Sequence, residues 1–282
     1  AFDSVRPSVV SMHDIQHVHF PQFFTRSERR TRRLYRDATS RVATAIQSSS
    51  AFIQSDLLAR YRHLTPDRVP VIHEGVDVNH FASAPAPSAE VLRSKYGLPE
   101  RFVFYPAQLW PHKNHVTVLD ALDELAGAGL VIPLVMTGAK YDAAPAVLGR
   151  IERSRLRGQV HYLGLVPFED LVGLYRSAQY LINASLHESN CLPILEAAAA
   201  GTPVIASDIP PNKELLRDLQ LNLFPRQDAP ALARVMRLAW TSGDRAAQAA
   251  HNRRSIEGYS WSAVARKYLE LFSRVAGQRS RN

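Results

Sequence analysis

Residues Tyr180–Ser207 read YLINASLHESNCLPILEAAAAGTPVIAS. Tyr180–Ala184 and Val204–Ala206 are short runs with the character of buried strands, and Pro193–Ala200 between them reads as a helix. A strand, a helix and a second strand in this order make a parallel βαβ unit whose strands are covered on both faces.

The same alternation extends upstream. Strands are expected at Phe102–Pro106, Ile132–Thr137 and Val160–Leu163, and helices at Val116–Leu125, Pro145–Leu156 and Leu171–Ser177. Such sheets bind ligands outside the carboxyl ends of their strands, so the strand-to-helix loops are where chemistry is sought. From Asp228 to Ala276 the chain reads as helices only, the last being Ser262–Val275. Before residue 102, strands are expected at Ser8–Met12, Ala51–Ile53 and Val69–Ile72, with a long basic helix at Arg26–Ala45 and a helix at Ser55–Tyr61. Pro85, Pro87 and Ser88 mark a linker, which places a domain boundary near residues 75–90. The segment before it is too short for a complete doubly wound domain.

The chain has 282 residues, 46% of them hydrophobic, enough for one large or two modest domains. Its longest apolar run, Ile194–Ala206, is broken by Glu196, Gly201 and Pro203, so no transmembrane helix is expected. No basic-then-apolar leader opens the chain. The single cysteine, Cys191, excludes an internal disulfide framework and fits a reducing compartment. The expected location is cytoplasmic, at the inner face of the membrane if the basic segment described below binds there. The formal charge of +8 suits an anionic partner.

The sharpest chemical signal is a pair of glutamates, Glu188 and Glu196, with seven residues between them, straddling a strand end and a helix start. Pro193 fits the first helical turn, where its missing N–H costs nothing. The remaining N–H groups of that turn, with the helix dipole, make a natural seat for a diphosphate. Glu196, one turn on, can take both hydroxyls of a ribose, and Glu188 in the loop can reach a sugar beyond the diphosphate. The plainer reading makes Glu188 a loop residue and Glu196 a solvated helix position. Against it, Ala197–Gly201 is nearly all alanine, so Glu196 lies on an otherwise apolar helix and needs a partner.

The run His187–Ser207 resembles the signature of family 4 retaining glycosyltransferases with the GT-B fold. Those enzymes carry Glu, Gly, Phe, Gly, Leu, Pro, two variable residues, then Glu. Here Glu188, Leu192, Pro193 and Glu196 match, while Ser189, Asn190 and Cys191 replace the Gly-Phe-Gly part. The resemblance implies an α/β, GT-B-like fold with two Rossmann-like lobes: a partial N-terminal, acceptor-side lobe over 1–85 and a doubly wound parallel sheet in a nucleotide-sugar-binding lobe over 86–258. Residues 259–282 are then a C-terminal helix crossing back to the N-terminal lobe. It also implies that roughly another half-domain precedes Ala1. Asn190, Cys191, Leu192 and Pro193 become donor-binding positions.

In the resembling family the loop after the first strand of this lobe carries Arg and Lys aimed at the leaving group. Here it reads Ala107-Gln108-Leu109-Trp110-Pro111-His112-Lys113-Asn114-His115, with Lys113 matching and Gln108 where Arg is common. Gly164-Leu165-Val166 corresponds to the loop that holds the nucleotide base, giving Leu165 and Val166 as candidates, with ordinary core packing as their alternative. Gly138, after Thr137, corresponds to a strand end facing the donor. Glu74-Gly75-Val76-Asp77 resembles an Asn-Gly-Val-Asp at the interdomain crossing and marks topology more than chemistry.

Met12-His13-Asp14-Ile15-Gln16-His17-Val18-His19 could suggest a metal, but its spacing matches no common zinc pattern and no metal is assigned. The resembling family has His-Asp at the end of a strand facing the cleft, where a histidine touches the donor sugar. His13 is the candidate for that role and Asp14 supports the loop. Phe20–Arg36 joins aromatics to six arginines between residues 26 and 36. It suits an anionic membrane surface, an anionic acceptor or simply a solvated face. Nucleic acid is not expected, since none of the usual motifs occurs.

The resemblance thus implies transfer of a sugar from a nucleoside diphosphate sugar to a hydroxyl of a glycan or lipid-linked acceptor, with retention and without a cofactor. Glu188, His13 and Lys113 are the catalytic candidates, and the look of His13–Pro21 leans towards mannose. A non-catalytic nucleotide-binding module and a sugar-nucleotide epimerase on the same fold remain alternatives.

Overall fold

The structure, a computed structural model, describes residues 7–241 and 245–277. The expectations for residues 1–6 and 278–282 lie outside the described residues. Contacts divide the chain into two units: one of residues 1–75, 188–191 and 258–282, the other of residues 76–187 and 192–257.

In the first unit, strands β1 (Val9–Ser11) and β2 (Ala45–Gln47) pair in parallel, Val10 opposite Ile46. The basic helix Arg26–Val42 opens with a reciprocal capping box: Glu28 N donates to Thr25 Oγ1 at 3.2 Å, and Thr25 N donates to Glu28 Oε2 at 2.7 Å. The expected helix end at Ala45 is corrected to Val42, because Ala45–Gln47 is buried along its whole length in β2 and ladder pairing overrides the helix propensity of alanine. The strand expected at Ala51–Ile53 is instead the start of a helix, Ala51–Arg60, whose N-cap Ser50 accepts from Ile53 N at 3.3 Å. Of Val69–Ile72, only Val71 makes a bridge, to Ser48. Side chains satisfy its neighbours instead, Gln54 donating to Val69 O at 2.7 Å and Gln47 to Ile72 O at 2.6 Å. The helix Trp261–Gly277 buries Val264, Leu271 and Val275 against Ala45 and Ile72.

The second unit is built on a six-stranded sheet, all of whose pairings are parallel. Its strands are β3 (Val103–Pro106), β4 (Leu134–Thr137), β5 (Val160–Tyr162), β6 (Tyr180–Asn183), β7 (Val204–Ser207) and β8 (Asn222–Phe224). Their order is β5-β4-β3-β6-β7-β8. The chain therefore winds outward in one direction from β3, then returns to β6 and winds outward in the other. The reversal falls between β3 and β6, the place where an open α/β sheet leaves a crevice at its strand carboxyl ends.

The helix His115–Gly127 buries Val118, Leu119, Leu122 and Leu125, positions at helical spacing, in one core with Val103, Tyr105, Leu134 and Met136. Cutting any of these leucines to alanine would cost about 2–5 kcal/mol. From the expected domain boundary onward to β3, the chain forms two helices, Val78–Ser83 within that boundary and Ala89–Tyr96 at its end. Arg176 donates to the carbonyls of His80, Phe81 and Ala84 and so closes the first of them. A further helix at Pro210–Leu215 and the strand β8 were not expected from sequence.

Candidate functional site

The loop after β3 is pinned at both ends. Tyr105 Oη donates to Lys113 O, and Asn114 adopts the left-handed conformation, φ 57° and ψ 44°, that asparagine tolerates well. Asn114 Nδ2 donates to Ala184 O at 3.2 Å, and His112 O accepts from Leu186 N at 2.8 Å. These bonds tie the Lys113 loop to the segment after β6 that leads into the helix Leu192–Ala200. Lys113 lies between the two residues that make these bonds.

His115 follows, packed at a tilt on Tyr105 with ring centroids 4.7 Å apart and only 2% exposed. Burial pushes its imidazole down to about 4 from an ordinary 6.5, and the Lys113 and His112 charges act in the same direction. The sign follows from the folded value lying below the unfolded one. The stabilisation is fully present above about pH 6.5 and is lost as pH falls towards 4, by about 3 kcal/mol in all. Urea unfolding at a series of pH values should show this acid loss in the native chain and a smaller one in His115→Phe.

A cavity of about 190 Å³ opens at the carboxyl ends of β3, β4 and β5. Gln108, Gly138, Leu165, Val166, Pro193 and Glu196 all line it, together with Tyr175. Six of the residues singled out in the sequence thus converge on one hollow. Leu165 is 77% exposed, which removes ordinary core packing as its reading and leaves an apolar face at the rim. Gly138 takes φ 136°, and a Cβ there would lie 2.6 Å from Ala107 O, so only glycine lets the ends of β3 and β4 approach this closely. A larger cavity of about 530 Å³, lined by Tyr180 and Asn222 among others, sits where β6 and β8 begin, the amino ends that open α/β sheets do not use.

Glu196 has the partner that its apolar helix demands: Tyr175 Oη donates to Glu196 Oε2. Burial, the larger influence, pushes the Glu196 carboxyl above the usual range, and the Tyr175 hydroxyl pulls it back. Tyr175 itself is fully buried, edge-on to Phe104 and Phe81. With Oε2 held in this way, Oε1 remains to accept from a ligand in the hollow. The helix that carries Glu196 is fixed at its other end by Gly201, φ 77°, and by Arg253, which donates to Ala200 O at 3.0 Å. Gln108 is oriented from outside the hollow, because Trp110 Nε1 donates to its Oε1 at 2.9 Å. Indole N–H can only donate, so the amide NH2 is the group left over.

Of the other candidates, Leu192 is the first residue of the helix and lies outside the lining. Glu188, Asn190 and Cys191 group with the first unit, as does His13. Asn190 and Cys191 are buried, Glu188 half-buried. His13 Nδ1 lies 3.1 Å from Glu74 Oε1. Tyr175, Trp110, Tyr105 and Glu74 were missed as supporting residues in the sequence. Tyr175 and Glu74 meet partners distant in the chain, Tyr105 bonds a backbone carbonyl and Trp110 bonds a side chain two positions away, and no periodicity announces these contacts.

More than half of the chain, residues 89–256, matches the model of the family described as glycosyl transferases group 1, and the chain belongs to that family. It is similar to O-antigen chain mannosyltransferase B of Escherichia coli, 26% identical over 92% of this chain and 63% of that protein. The D-inositol 3-phosphate glycosyltransferase of Salinispora tropica is 31% identical, over 80% of this chain and 50% of its own length. The chain thus spans about half to two thirds of these relatives. Among solved structures, Anabaena HepE in complex with UDP and glucose superposes with TM-score 0.80 at 22% identity, over 96% of this chain and 72% of that one. Sucrose-phosphate synthase from Thermosynechococcus elongatus gives TM-score 0.80 at 21% identity, over 96% of this chain and 68% of that one. These likenesses bear out the α/β, GT-B-like fold. No helix among the described residues is long and apolar enough to cross a membrane.

Proposed function

We propose that the second unit holds the donor half of a nucleoside diphosphate sugar, and that the whole protein transfers the sugar, mannose by preference, to an acceptor hydroxyl with retention. The observation that carries this reading is the hollow itself. An acid on the first turns of a helix, Pro193 in its first turn, an apolar rim and a glycine-permitted approach all meet at the carboxyl ends of the strands. Family membership and the similarity to a mannosyltransferase support it.

In this reading the N–H groups at the start of Leu192–Ala200 and the Lys113 ammonium receive the diphosphate, and Glu196 Oε1 receives the ribose hydroxyls. Leu165 and Val166 flank the base, and Gln108 offers its amide N–H groups to the phosphates. Glu188 orients the sugar and favours positive charge at its anomeric carbon, and His13 touches the sugar. The bond from the anomeric carbon to the phosphate oxygen breaks with its electron pair going to the diphosphate. A bond to the acceptor oxygen forms on the same face, and the acceptor proton passes to the leaving phosphate. The positive potential of Lys113 and the helix end stabilises that departing charge, so no metal is assigned to the step. The acceptor is a glycan or lipid-linked sugar of a cell-surface polysaccharide, and Phe20–Arg36 would meet it at the inner face of the membrane.

Calorimetry with GDP, UDP and ADP tests the first claim, and binding of none of them ends the reading. Turnover of radiolabelled GDP-mannose or UDP-glucose, with and without acceptor extract, tests the second. Acceptor-dependent transfer is expected, while acceptor-independent isomerisation would mark an epimerase and binding without turnover a module.

Removing only the Tyr175 hydroxyl should weaken nucleotide binding by about three- to tenfold, since one hydrogen bond to a charged group loosens while the ring stays packed. Binding requires the Glu196 carboxylate, so affinity falls as pH drops through its raised value. In Tyr175→Phe that fall should move to higher pH, because the bond that pulls the carboxyl back is gone.

A further inference from the structure

We infer that the neutral amide of Gln108, turned by Trp110, fits the hollow to a nucleoside diphosphate esterified at its far phosphate, as in a sugar nucleotide, over the free nucleoside diphosphate that transfer leaves behind. The inference rests on the proposed donor reading and deepens it, and every residue it uses belongs to the second unit.

Gln108 and Trp110 follow β3, and Tyr141 lies in the loop after β4. Backbone bonds stitch these two loops together: Leu109 N donates to Ala139 O at 3.0 Å, and Leu109 O accepts from Ala143 N at 3.1 Å. The Trp110 ring stacks on Tyr141, with centroids 3.7 Å apart and planes 15° from parallel. An indole held flat in this way has the direction of its N–H set, and that N–H donates to Gln108 Oε1 at 2.9 Å. Gln108 is exposed, so nothing else about its burial chooses between the two ends of its amide. Trp110 is the positioning residue: it takes the oxygen and leaves the NH2 for a ligand in the hollow that Gln108 lines.

The charges of the hollow decide which diphosphate suits it. Among the described residues, no lysine, arginine or histidine lines it, and the ionisable carboxyl in the lining is that of Glu196. Lys113 lies outside the lining. A sugar nucleotide carries one charge on each phosphate, and these do not change across neutral pH. The free nucleoside diphosphate gains a third charge as its terminal phosphate loses a second proton, at about pH 6. The Gln108 amide donates to either ligand but brings no charge to match the third one, while the Glu196 carboxylate opposes it. A cation at position 108 would favour the more highly charged ligand and hold the spent nucleotide in place. The amide keeps a hydrogen bond to the donor without that retention.

The test measures affinities, without added divalent metal, for GDP or UDP, whichever the full chain binds, and for the same nucleotide methylated on its terminal phosphate. The methyl ester has the donor's charge and no sugar, so the ratio of the two affinities isolates the third charge. Titration of Glu196, of His112 and of Lys113 acts on both ligands and cancels in that ratio. Between pH 5.5 and pH 8 the native chain should lose about threefold in affinity for the free nucleotide relative to the ester. In Gln108→Arg the free nucleotide should gain about tenfold over the ester at pH 8, and the gain should shrink at pH 5.5 and in high salt. Trp110→Phe, which keeps the stack on Tyr141 but not the N–H, should weaken both ligands alike by about two- to threefold, and should cost nothing more in a Gln108→Leu background. A native chain that favours the free nucleotide over the ester at pH 8, or a Gln108→Arg protein that changes both affinities equally, overturns the preference. Full affinity in Trp110→Phe, or losses that add in the double variant, overturns the positioning role. Absence of binding by every nucleotide removes the donor reading itself and this inference with it.

Discussion

Glu196→Gln should lower the affinity for the bound nucleoside diphosphate by about a hundredfold, roughly 3 kcal/mol, with little change in folding stability. The two halves of this expectation have different causes. The affinity is lost because a carboxylate gripping two ribose hydroxyls makes charge-assisted bonds, and an amide oxygen replaces them poorly. The stability is kept because the carboxylate is an expensive group where it stands: burial already pushes its pKa up. The amide oxygen can still accept from Tyr175 Oη, so the helix Leu192–Ala200 loses no partner on its inner side. Calorimetry and thermal melting on the same sample read the two effects separately. A large drop in melting temperature with unchanged affinity would make Glu196 a structural acid.

Gly138→Ala should be the most damaging small substitution in the second unit. The position combines a backbone angle that side chains avoid, φ 136°, with three contacts that cannot yield: Ala107 O at 2.6 Å, Ala107 C at 2.7 Å and Gln108 N at 2.8 Å from the added carbon. All three are backbone atoms, so relief requires the ends of β3 and β4 to part. Gly138 N donates to Gly164 O at 2.8 Å, and Tyr162 Oη donates to Gly138 O at 2.7 Å, so the disturbance reaches the loop after β5 as well. A cost of about 2–4 kcal/mol is expected, seen as a melting temperature lower by roughly 5–15 °C. Nucleotide affinity should fall with it, because Gly138, Gln108 and Leu165 line the same hollow. Gly258→Ala is the control: nothing lies within 4 Å of the added carbon, and its backbone angle is ordinary, so the melting temperature should barely move.

These expectations could be framed because the decisive parts of the second unit are written locally. Its strands β3, β4, β6 and β7 are almost wholly buried, so each reads as a continuous apolar run, and the helices between them show their spacing. Glu188, Pro193 and Glu196 could be picked out because a strand end and a helix start sit on either side of them. The first unit was less legible, since its elements take their form from contacts across the chain. Ala45–Gln47 is a strand only because β1 lies beside it, and Ala51–Ile53 is helical because Ser50 caps it. In the same way Asn222–Phe224 is short and begins with a polar residue, and it becomes β8 through pairing with β7. The partners of the site share this character. Tyr175 meets Glu196 across 21 positions and Glu74 meets His13 across 61, separations that no periodicity encodes.

The most direct test is a crystal structure of the full chain with GDP or UDP bound, whichever calorimetry selects. The account predicts pyrophosphate oxygens within hydrogen-bond distance of the N–H groups at the start of Leu192–Ala200, the ribose hydroxyls on Glu196 Oε1, and the base against Leu165 and Val166. A nucleotide seated elsewhere, or one bound in this hollow with Glu196 turned away from the ribose, would contradict it.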